Sequence, residues 1–428
     1  MSLRVVAPLS FNEEQAWTEF GADRETFFKR GALLRVPLRD EVCDLALRRL
    51  VNDLTQRHPL LRTAYRAADG IGVARELPAF HHEIRRADAC EYPVDGLYPD
   101  RLGPEDLVRI WLTPGPDGGR VLYFDMNEMV VDTGSTARLD QDVTQYLSGP
   151  GGPARPANWA AVPSPTYRDF ATRQRAGDVA ADDLIYWRTT LKGMPASGTL
   201  PDEGADPSGD VAGERVWVLP DELTGTFREI CRRHRTSGFM TAVGLVSVVF
   251  SALWDLPEVT LATASSLRPG DFQEVVGNFN SNVVLRTATG PSTSVSEAVD
   301  SARRTVLGAL RHPVHHRQLR SLLGVEPAPA RVHYLASSDH YHKLLDSKPA
   351  GAEWAEPAEF PGWPLEVGFA EDSAHRIAIW LQYDPRRFTH ERVASMLAGF
   401  RVLLTALADG RDATVHWVGG RAATADMR

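Results

Sequence analysis

Apolar and polar positions follow two spacings along this chain, one typical of strands and one typical of helices. Short apolar runs predict strands at residues 31–37, 107–112, 121–126, 215–219, 259–263, 331–335, 365–370 and 375–383. Helical spacing predicts helices at residues 42–54, 167–191, 221–234 and 239–254, one from residue 294 and a last one at 389–407. Because strands and helices alternate irregularly, an α/β (α+β) fold with mixed sheets fits better than a doubly wound sheet.

The strand predicted at 121–126 ends in a polar turn and is followed by an amphipathic helix. Leu139, Val143 and Leu147 form the apolar face of that helix, and Thr133 or Ser135 is expected to cap its N-terminus. Two carboxylates, Glu128 and Asp132, lie in the turn four residues apart. This strand-to-helix turn is the candidate active site.

A chain of 428 residues exceeds one ordinary core and predicts two or three domains, or two halves that share one fold. Loops rich in Pro and Gly lie at 148–156 and 195–213. We place the boundary of the two halves in this region, as lobes 1–175 and 176–428.

The formal net charge of −9 argues against a nucleic-acid-binding face. Three scattered cysteines, Cys43, Cys90 and Cys231, have no metal-type spacing and fit a reducing cytoplasm. The N-terminus lacks an apolar signal core, and no apolar run reaches membrane-spanning length. Three histidines resemble a metal tract, but their arginine-rich helical surroundings predict exposed side chains and no metal; they are His312, His315 and His316.

Several motifs, taken in order, resemble those of one family. Pro8-Leu-Ser with Gln15-Ala-Trp17 looks like its opening motif, and residues 57–65, Arg-His-Pro-Leu-Leu-Arg-Thr-Ala-Tyr, resemble its second. Residues 167–171 are similar to its fourth motif, and residues 276–286 to its fifth. The family is the condensation domains of nonribosomal peptide synthetases, within the chloramphenicol-acetyltransferase-like acyltransferases.

This resemblance implies two chloramphenicol-acetyltransferase-like lobes with mixed sheets, arranged in a V around a central tunnel. It implies that an amine or hydroxyl attacks a thioester on the phosphopantetheine arm of a peptidyl or acyl carrier protein. No cofactor is then bound directly, because the arm is a substrate tether. It also implies that Asp132 braces the loop through an arginine, for which Arg62 and Arg286 are the candidates.

The departure from the family lies in the turn itself. The family motif reads His-His-x-x-x-Asp-Gly, and alignment on Asp132 puts Asn127 and Glu128 at the two histidines and Thr133 at the glycine. Glu128 therefore replaces the histidine assigned to catalysis. Asn127, Asp132 and Ser135 also come within one residue of the Asp-x4-Asp-x2-Ser pattern of heterocyclisation domains.

An ionised glutamate accepts a proton but donates no hydrogen bond, whereas histidine does both. A carboxylate therefore suits an ammonium acceptor, with loop amides near 133–136 facing the oxyanion. We take Glu128 and Asp132 as the candidate catalytic residues. The candidate substrate-binding residues are Asn127, Thr133, Ser135, Asn280 and Asn282, although ordinary turn, ladder or capping roles are the alternatives for most of them.

The sequence thus predicts a free-standing condensation enzyme of specialised metabolism that forms an amide or ester bond from a carrier-bound aminoacyl or acyl thioester. Two alternatives stay open. One is a catalytically silent module, with Glu128 a solvated or salt-bridged turn residue, that recruits partner proteins to a carrier-bound substrate. The other is a heterocyclisation-type enzyme.

Overall fold

The computed structural model describes most of the chain between residues 8 and 425. The described ranges are 8–39, 41–68, 71–86, 102–115, 118–149, 153–157, 159, 162–177, 179–195, 200–201, 212–324, 328, 330–335, 348–358, 363–372 and 374–425. Cys90 lies outside them, while Cys43 and Cys231 are free thiols.

Two compact units divide the chain. The first comprises Met1–Asp178 together with Ser266–Ser281, and the second comprises Val179–Ser265 together with Asn282–Arg428. The segment Ser266–Ser281, which the sequence assigned to the second lobe, therefore belongs by its contacts to the first unit. The lobes at 1–175 and 176–428, their V-shaped arrangement and the tunnel stay predictions.

The first unit is built on a four-stranded mixed sheet in the order β1-β6-β5-β4. Its strands are β1 (Gly31–Leu38), β4 (Ile84–Arg86), β5 (Val108–Pro114) and β6 (Arg120–Asn127), and a separate hairpin pairs β2 (Thr63–Ala68) with β3 (Ile71–Glu76). The helices are α1 (Phe11–Ala22), α2 (Arg24–Lys29), α3 (Asp44–Arg57), α4 (Pro104–Leu107), α5 (Thr133–Leu147) and α6 (Tyr167–Ala176).

Alternation along β6 explains why this strand positions the candidate site. Leu122, Phe124 and Met126 point into the core of the unit and are almost fully buried. Because side chains alternate along a strand, Asp125 and Asn127 point to the opposite face. The strand therefore ends with a polar residue at the turn that leads into α5.

The second unit is built on a seven-stranded mixed sheet in the order β11-β7-β13-β12-β10-β8-β9. Its strands are β7 (Ala212–Val218), β8 (Glu258–Ser266), β9 (Asn280–Ala288), β10 (Ala330–Leu335), β11 (Glu353–Ala358), β12 (Leu365–Glu371) and β13 (Ile377–Tyr383), the end of β8 and the start of β9 being counted with the first unit. Strand β10 runs parallel to β8 and β12, while β7, β11, β12 and β13 pair antiparallel. The prediction of mixed sheets is confirmed.

The second unit also contains helices. They are α7 (Ala181–Thr190), α8 (Asp221–His234), α9 (Gly238–Trp254), α10 (Val295–Arg311), α11 (His316–Leu323), α12 (His390–Ala408) and α13 (Val415–Ala425). Every residue of α9 from Thr241 to Ser251 is buried, which confirms the buried helix predicted at 239–254. Among the described residues no single helix is long and apolar enough to cross a membrane; the pair α8 and α9, bent by 105°, passes only when taken together.

The structure corrects four predictions. The helix predicted at 167–191 is two helices, because Gly177 adopts a left-handed conformation (φ 78°) that ends α6. No strand was predicted where β11 lies, and α13 follows the helix predicted to be the last. The N-cap of α5 is Asp132 rather than Thr133 or Ser135.

Candidate functional site

The candidate site is the turn between β6 and α5 in the first unit. Strand β6 ends at Asn127, and α5 begins at Thr133. The side chain of Asp132 accepts a hydrogen bond from the backbone N–H of Ser135 at 2.7 Å and so caps the helix. A carboxylate at a helix N-terminus also interacts favourably with the helix dipole.

Asp132 is a buried brace that joins distant parts of the first unit. Its Oδ1 accepts from Arg268 at 2.8 Å, and its Oδ2 accepts from the backbone N–H of Phe279 at 3.0 Å. The carboxylate side chain has no solvent exposure. Each oxygen is thus held by donors of the segment Ser266–Ser281, an arrangement that favours a structural role over the predicted catalytic one.

The predicted arginine partners of Asp132 are wrong. Arg62 donates to the Thr55 carbonyl at 2.7 Å and to Glu76 at 2.7 Å. In the second unit, Nη2 of Arg286 donates to both carboxylate oxygens of Glu258, at 2.7 and 2.9 Å. No local pattern around Arg268 in the sequence indicated that it, rather than these two, pairs with Asp132.

Ser135 completes this brace and is fully buried. Its hydroxyl donates to the Gly277 carbonyl at 2.5 Å and accepts from the Gly277 N–H at 2.9 Å and from Arg268 at 2.8 Å. The guanidinium of Arg268 also lies over the ring of Phe279, 3.9 Å from the centroid. Ser135 therefore ties α5 to the segment Ser266–Ser281, and this contact favours a structural role over the predicted substrate contact.

Asn127 holds the turn through its side-chain amide. Its Nδ2 donates to the carbonyls of Phe27 and Arg30 at 2.8 and 3.0 Å, and its Oδ1 accepts from the Met129 N–H at 2.9 Å. The residue is 6% exposed. All three bonds end on backbone groups, so the geometry favours an anchoring role over the predicted contact with substrate.

Glu128 has a different environment from Asp132, although both lie in the same turn. Its side chain is 41% exposed, and its Oε1 lies 3.6 Å from the guanidinium of Arg30. Its backbone is fixed on two sides, because its N–H donates to the Arg30 carbonyl at 3.2 Å and its carbonyl accepts from Asn278 Nδ2 at 2.7 Å. The carboxylate is thus carried on a rigid backbone and reaches solvent.

The start of α5 offers two backbone donors beside this turn. The N–H groups of Ser135 and Thr136 already bind Asp132. Thr133 and Gly134 are exposed, and first-turn N–H groups have no acceptor within their own helix. Of the amides predicted near 133–136, only these two fit an oxyanion.

The two predicted asparagines of the fifth motif fall in different units. The carbonyl of Asn280 accepts from Asn12 at 2.7 Å, and its N–H donates to the side chain of Asn278 at 3.0 Å. Asn282 belongs to the second unit. The contact with the turn is made instead by Asn278, which the sequence did not single out.

A third carboxylate lies on β6, two residues before Asn127. Asp125 pairs across the sheet with Arg109, whose Nε donates to it at 2.8 Å. Burial raises the pKa of Asp125 to about 7, against the attraction of this guanidinium for the ionised form. We assign the pair to cross-strand stabilisation.

His58 of the second motif forms a buried pair with a carboxylate on α5. His58 Nε2 lies 2.8 Å from Asp142, which also pairs with Arg57 at 3.1 Å. Burial lowers the pKa of His58 in spite of the neighbouring carboxylate, and so favours the neutral imidazole. This supports a structural role for His58.

The three histidines at the end of α10 are not exposed, in contrast to the sequence expectation. His312 Nδ1 lies 2.8 Å from Asp183, and His315 is only 3% exposed. Burial and the nearby Arg317 lower the pKa of His316 to about 4. Within the described ranges, no group of three or more His, Cys, Asp or Glu residues has a geometry that holds a metal.

Comparison with known proteins places the chain in a family. The model of the condensation domain matches residues 99–328, more than half of the chain, and the chain belongs to the condensation-domain family. It is 26% identical over 327 residues to malpinin synthetase of Mortierella alpina, and 30% identical over 333 residues to the isonitrile lipopeptide synthase of Mycobacterium tuberculosis. Each match covers 71% of this chain, but only 4% and 13% of the respective relative.

Solved structures support the same fold. The condensation domain of the monacolin K polyketide synthase MokA has a TM-score of 0.72 at 15% identity, over 97% of this chain and all of the other. The X-domain in the complex of the X-domain and OxyB from teicoplanin biosynthesis has a TM-score of 0.69 at 17% identity, over 97% and 96% of the two chains. The predicted two-lobed chloramphenicol-acetyltransferase-like fold is confirmed.

Proposed function

We propose that this chain is a condensation enzyme that joins a carrier-bound aminoacyl or acyl group to an amine, with Glu128 in the role of the family's catalytic histidine. Condensation domains are acyltransferases that form amide bonds on carrier-bound substrates in nonribosomal peptide synthesis. A hydroxyl acceptor, which gives an ester, belongs to the same proposal. The cytoplasm is its proposed compartment, on cysteine usage alone.

The environment of Glu128 is the observation that carries this proposal. In the alignment on Asp132 this residue takes the position of the second family histidine. Its carboxylate is 41% exposed, on a backbone held by Arg30 and Asn278. The neighbouring Asp132 is buried and braced by Arg268. A rigid backbone with a reachable carboxylate is what positioning catalysis needs, because most of the barrier falls when the reactants are held in line.

The proposed step balances as follows. Glu128 takes a proton from an ammonium acceptor, and the resulting amine attacks the thioester carbonyl carbon. A C–N bond forms and the C–S bond breaks, so that the phosphopantetheine leaves as a thiol that keeps one of the two protons lost by nitrogen. The other proton leaves Glu128 for solvent.

The developing oxyanion needs donors, since an ionised glutamate supplies none. The exposed N–H groups of Thr133 and Gly134 at the start of α5 are our candidates for that role. Thr133 is therefore retained as a substrate-binding residue.

A silent recruiting module is the second candidate. The ion pair between Glu128 and Arg30 and the anchoring bonds of Asn127 give both substituted positions a structural explanation. The X-domain from teicoplanin biosynthesis, which is similar in fold, was solved in complex with OxyB. This fold therefore accommodates a protein partner as well as a substrate. Heterocyclisation stays a third prediction that no observed contact favours.

The decisive experiment supplies an aminoacyl carrier protein and a panel of amines, and compares Glu128→Gln with the parent. Gln keeps the size of the side chain and removes the base, so we expect product with the parent and a loss of about 100-fold or more in the variant. Asp140→Asn, on the exposed face of α5, is the matched control.

Two results would contradict the proposal. Equal product from Glu128→Gln and the parent would remove Glu128 from the mechanism. If the parent gave no product with any amine or alcohol, and instead bound another protein of the same biosynthesis, the recruiting module would replace the enzyme.

A further inference from the structure

Arg30 lies between two carboxylates at the candidate site. Its Nη1 lies 2.9 Å from Oε2 of Glu19 on α1 and 3.6 Å from Oε1 of Glu128 in the turn. The three side chains are partly exposed, by 34% for Arg30, 31% for Glu19 and 41% for Glu128. One guanidinium therefore serves two carboxylates within reach of solvent, and the shorter contact is to Glu19.

The backbone of Arg30 is fixed to the same turn. Its carbonyl accepts from the Glu128 N–H at 3.2 Å and from Asn127 Nδ2 at 3.0 Å. The next residue, Gly31, is so close to β6 that a Cβ there would lie 2.3 Å from the Met126 carbonyl oxygen. The backbone of Arg30 is therefore fixed relative to the turn. Only rotations about its side-chain bonds can move the guanidinium between the two carboxylates.

Glu19 is held in place as the second partner. It is carried by α1, and Gln15, one turn earlier, donates to its Oε1 at 3.0 Å. Because Glu19 already lies closer to Arg30 than Glu128 does, Arg30 keeps a partner when it gives up Glu128. The exchange therefore leaves no buried or uncompensated charge.

We propose that Arg30 is a positioning residue that holds Glu128 in the resting site and yields it to a cationic amine acceptor, while Glu19 takes over the guanidinium. This inference rests on the proposed function and names the acceptor as a primary ammonium rather than a neutral amine or alcohol. Two carboxylates and one guanidinium carry a net charge of −1, which an ammonium ion neutralises. A neutral acceptor gains nothing from that charge.

The exchange gives opposite effects for two substitutions. Arg30→Gln removes the competitor for Glu128, so benzylamine, a cation at neutral pH, binds more tightly. Glu19→Gln removes the alternative partner, so Arg30 stays on Glu128 and benzylamine binds more weakly. Each change amounts to about two- to fivefold in KM, as expected for the loss of one partly exposed ion pair, and both shrink in high salt.

The measurement compares KM and kcat for benzylamine with those for benzyl alcohol and aniline, which are neutral, using the same aminoacyl carrier protein. For the neutral acceptors KM is expected to stay within about twofold in both variants, because no ion pair is exchanged. Arg30→Gln lowers kcat with every acceptor, since Glu128 loses its support. Arg30→Lys restores kcat in part, because it keeps the charge and loses the planar fork.

Lys29→Gln is the matched control, because it removes a neighbouring positive charge that pairs with Glu25 on the exposed side of α2. It leaves the ratio of benzylamine to benzyl alcohol KM unchanged. Parallel changes of KM for charged and neutral acceptors, or changes of the same sign in Arg30→Gln and Glu19→Gln, would overturn the inference.

Failure of the inference and failure of the proposed function are distinguishable. If Glu128→Gln abolishes product while Arg30→Gln and Glu19→Gln leave the KM of benzylamine alone, the function stands and the inference falls. If Glu128→Gln retains full activity, the function loses its residue. The dissociation constant of benzylamine, measured by NMR titration of the parent and the two variants without donor, then decides the inference by itself.

Discussion

Glu128 and Asp132 lie in one turn but are held in opposite ways. Asp132 has no exposed side-chain surface and is held by Arg268, Ser135 and Phe279, whereas Glu128 is 41% exposed and lies beside Arg30. Burying a carboxylate is costly unless charge and hydrogen bonds compensate, so the surroundings of Asp132 are fixed by the fold. The partly exposed carboxylate of Glu128 has no such requirement, and we expect a change there to affect stability little.

The largest expected effect is the loss of the buried brace. Asp132→Ala leaves the Arg268 guanidinium buried without its charge partner and removes the cap of α5, and we expect a loss of about 3–5 kcal/mol in the free energy of unfolding. Urea denaturation followed by circular dichroism measures it. Asp140→Ala, an exposed acid on the same helix, is the control. A loss below about 1 kcal/mol would show that the brace is dispensable.

A smaller loss is expected at Ser135. Ser135→Ala removes the hydroxyl that serves both polar groups of Gly277 and one N–H of Arg268. Leaving buried polar groups without partners costs about 1–3 kcal/mol. The same urea titration applies, with Thr133→Ala at the exposed start of α5 as the control. If Ser135→Ala and Thr133→Ala shifted the urea midpoint equally, the buried hydrogen bonds of Ser135 would stabilise the fold no more than an exposed hydroxyl does.

The sequence predicted the kind of role that Asp132 has, but not its partners. The bracing arginine follows from the family resemblance, yet Arg268 lies 136 residues away from Asp132 in the chain. A pairing over that separation depends on how the segment Ser266–Ser281 packs against α5, and no local pattern records this. The capping role of Asp132 was missed for a different reason, since Thr133 and Ser135 are equally good caps by residue type.

Elements were predictable where spacing alone decides them. Helix α8 was predicted with the bounds that the structure has, and α9 to within one residue, because both have strong apolar patterns. Strand β11 was not predicted, because Glu353–Ala358 (Glu-Trp-Ala-Glu-Pro-Ala) has no regular alternation of apolar and polar positions. It is stabilised by its pairing with β7. Its formation depends on the neighbouring strand more than on its own residues.

The buried pair of His58 and Asp142 adds a pH dependence to this stability. Because burial lowers the pKa of His58, the unfolded chain takes up a proton below about pH 6.5 more readily than the folded chain does. The stability from this histidine is therefore present above about pH 6.5 and lost as the pH falls, by at most about 1.4 kcal/mol at pH 5.5. His82 and His316, whose pKa values burial also lowers, act in the same direction.

Urea midpoints at pH 7.5 and 5.5 measure this dependence in the parent and in His58→Gln. The variant has no group to protonate at that position, so the difference in its free energy of unfolding between the two pH values is expected to be smaller, by at most about 1.4 kcal/mol. His375→Gln, at a histidine with a side chain that is 74% exposed, serves as control. An unchanged difference in His58→Gln would mean that the imidazole titrates alike in the folded and the unfolded chain.

The smallest change in stability is expected for Glu128→Gln, and it distinguishes the roles of Glu128 and Asp132 most clearly. Glu128→Gln removes a partly exposed charge whose contact with Arg30 is 3.6 Å long, and such pairs contribute about 0–1 kcal/mol. We expect its free energy of unfolding to lie within about 0.5 kcal/mol of that of the parent, while product formation is lost. For Asp132→Asn we expect the reverse of this pattern: a large loss in the free energy of unfolding is its main effect. If Glu128→Gln also unfolded the protein, its lost activity would say nothing about chemistry, and the turn would be a single structural unit rather than a brace beside a reactive carboxylate.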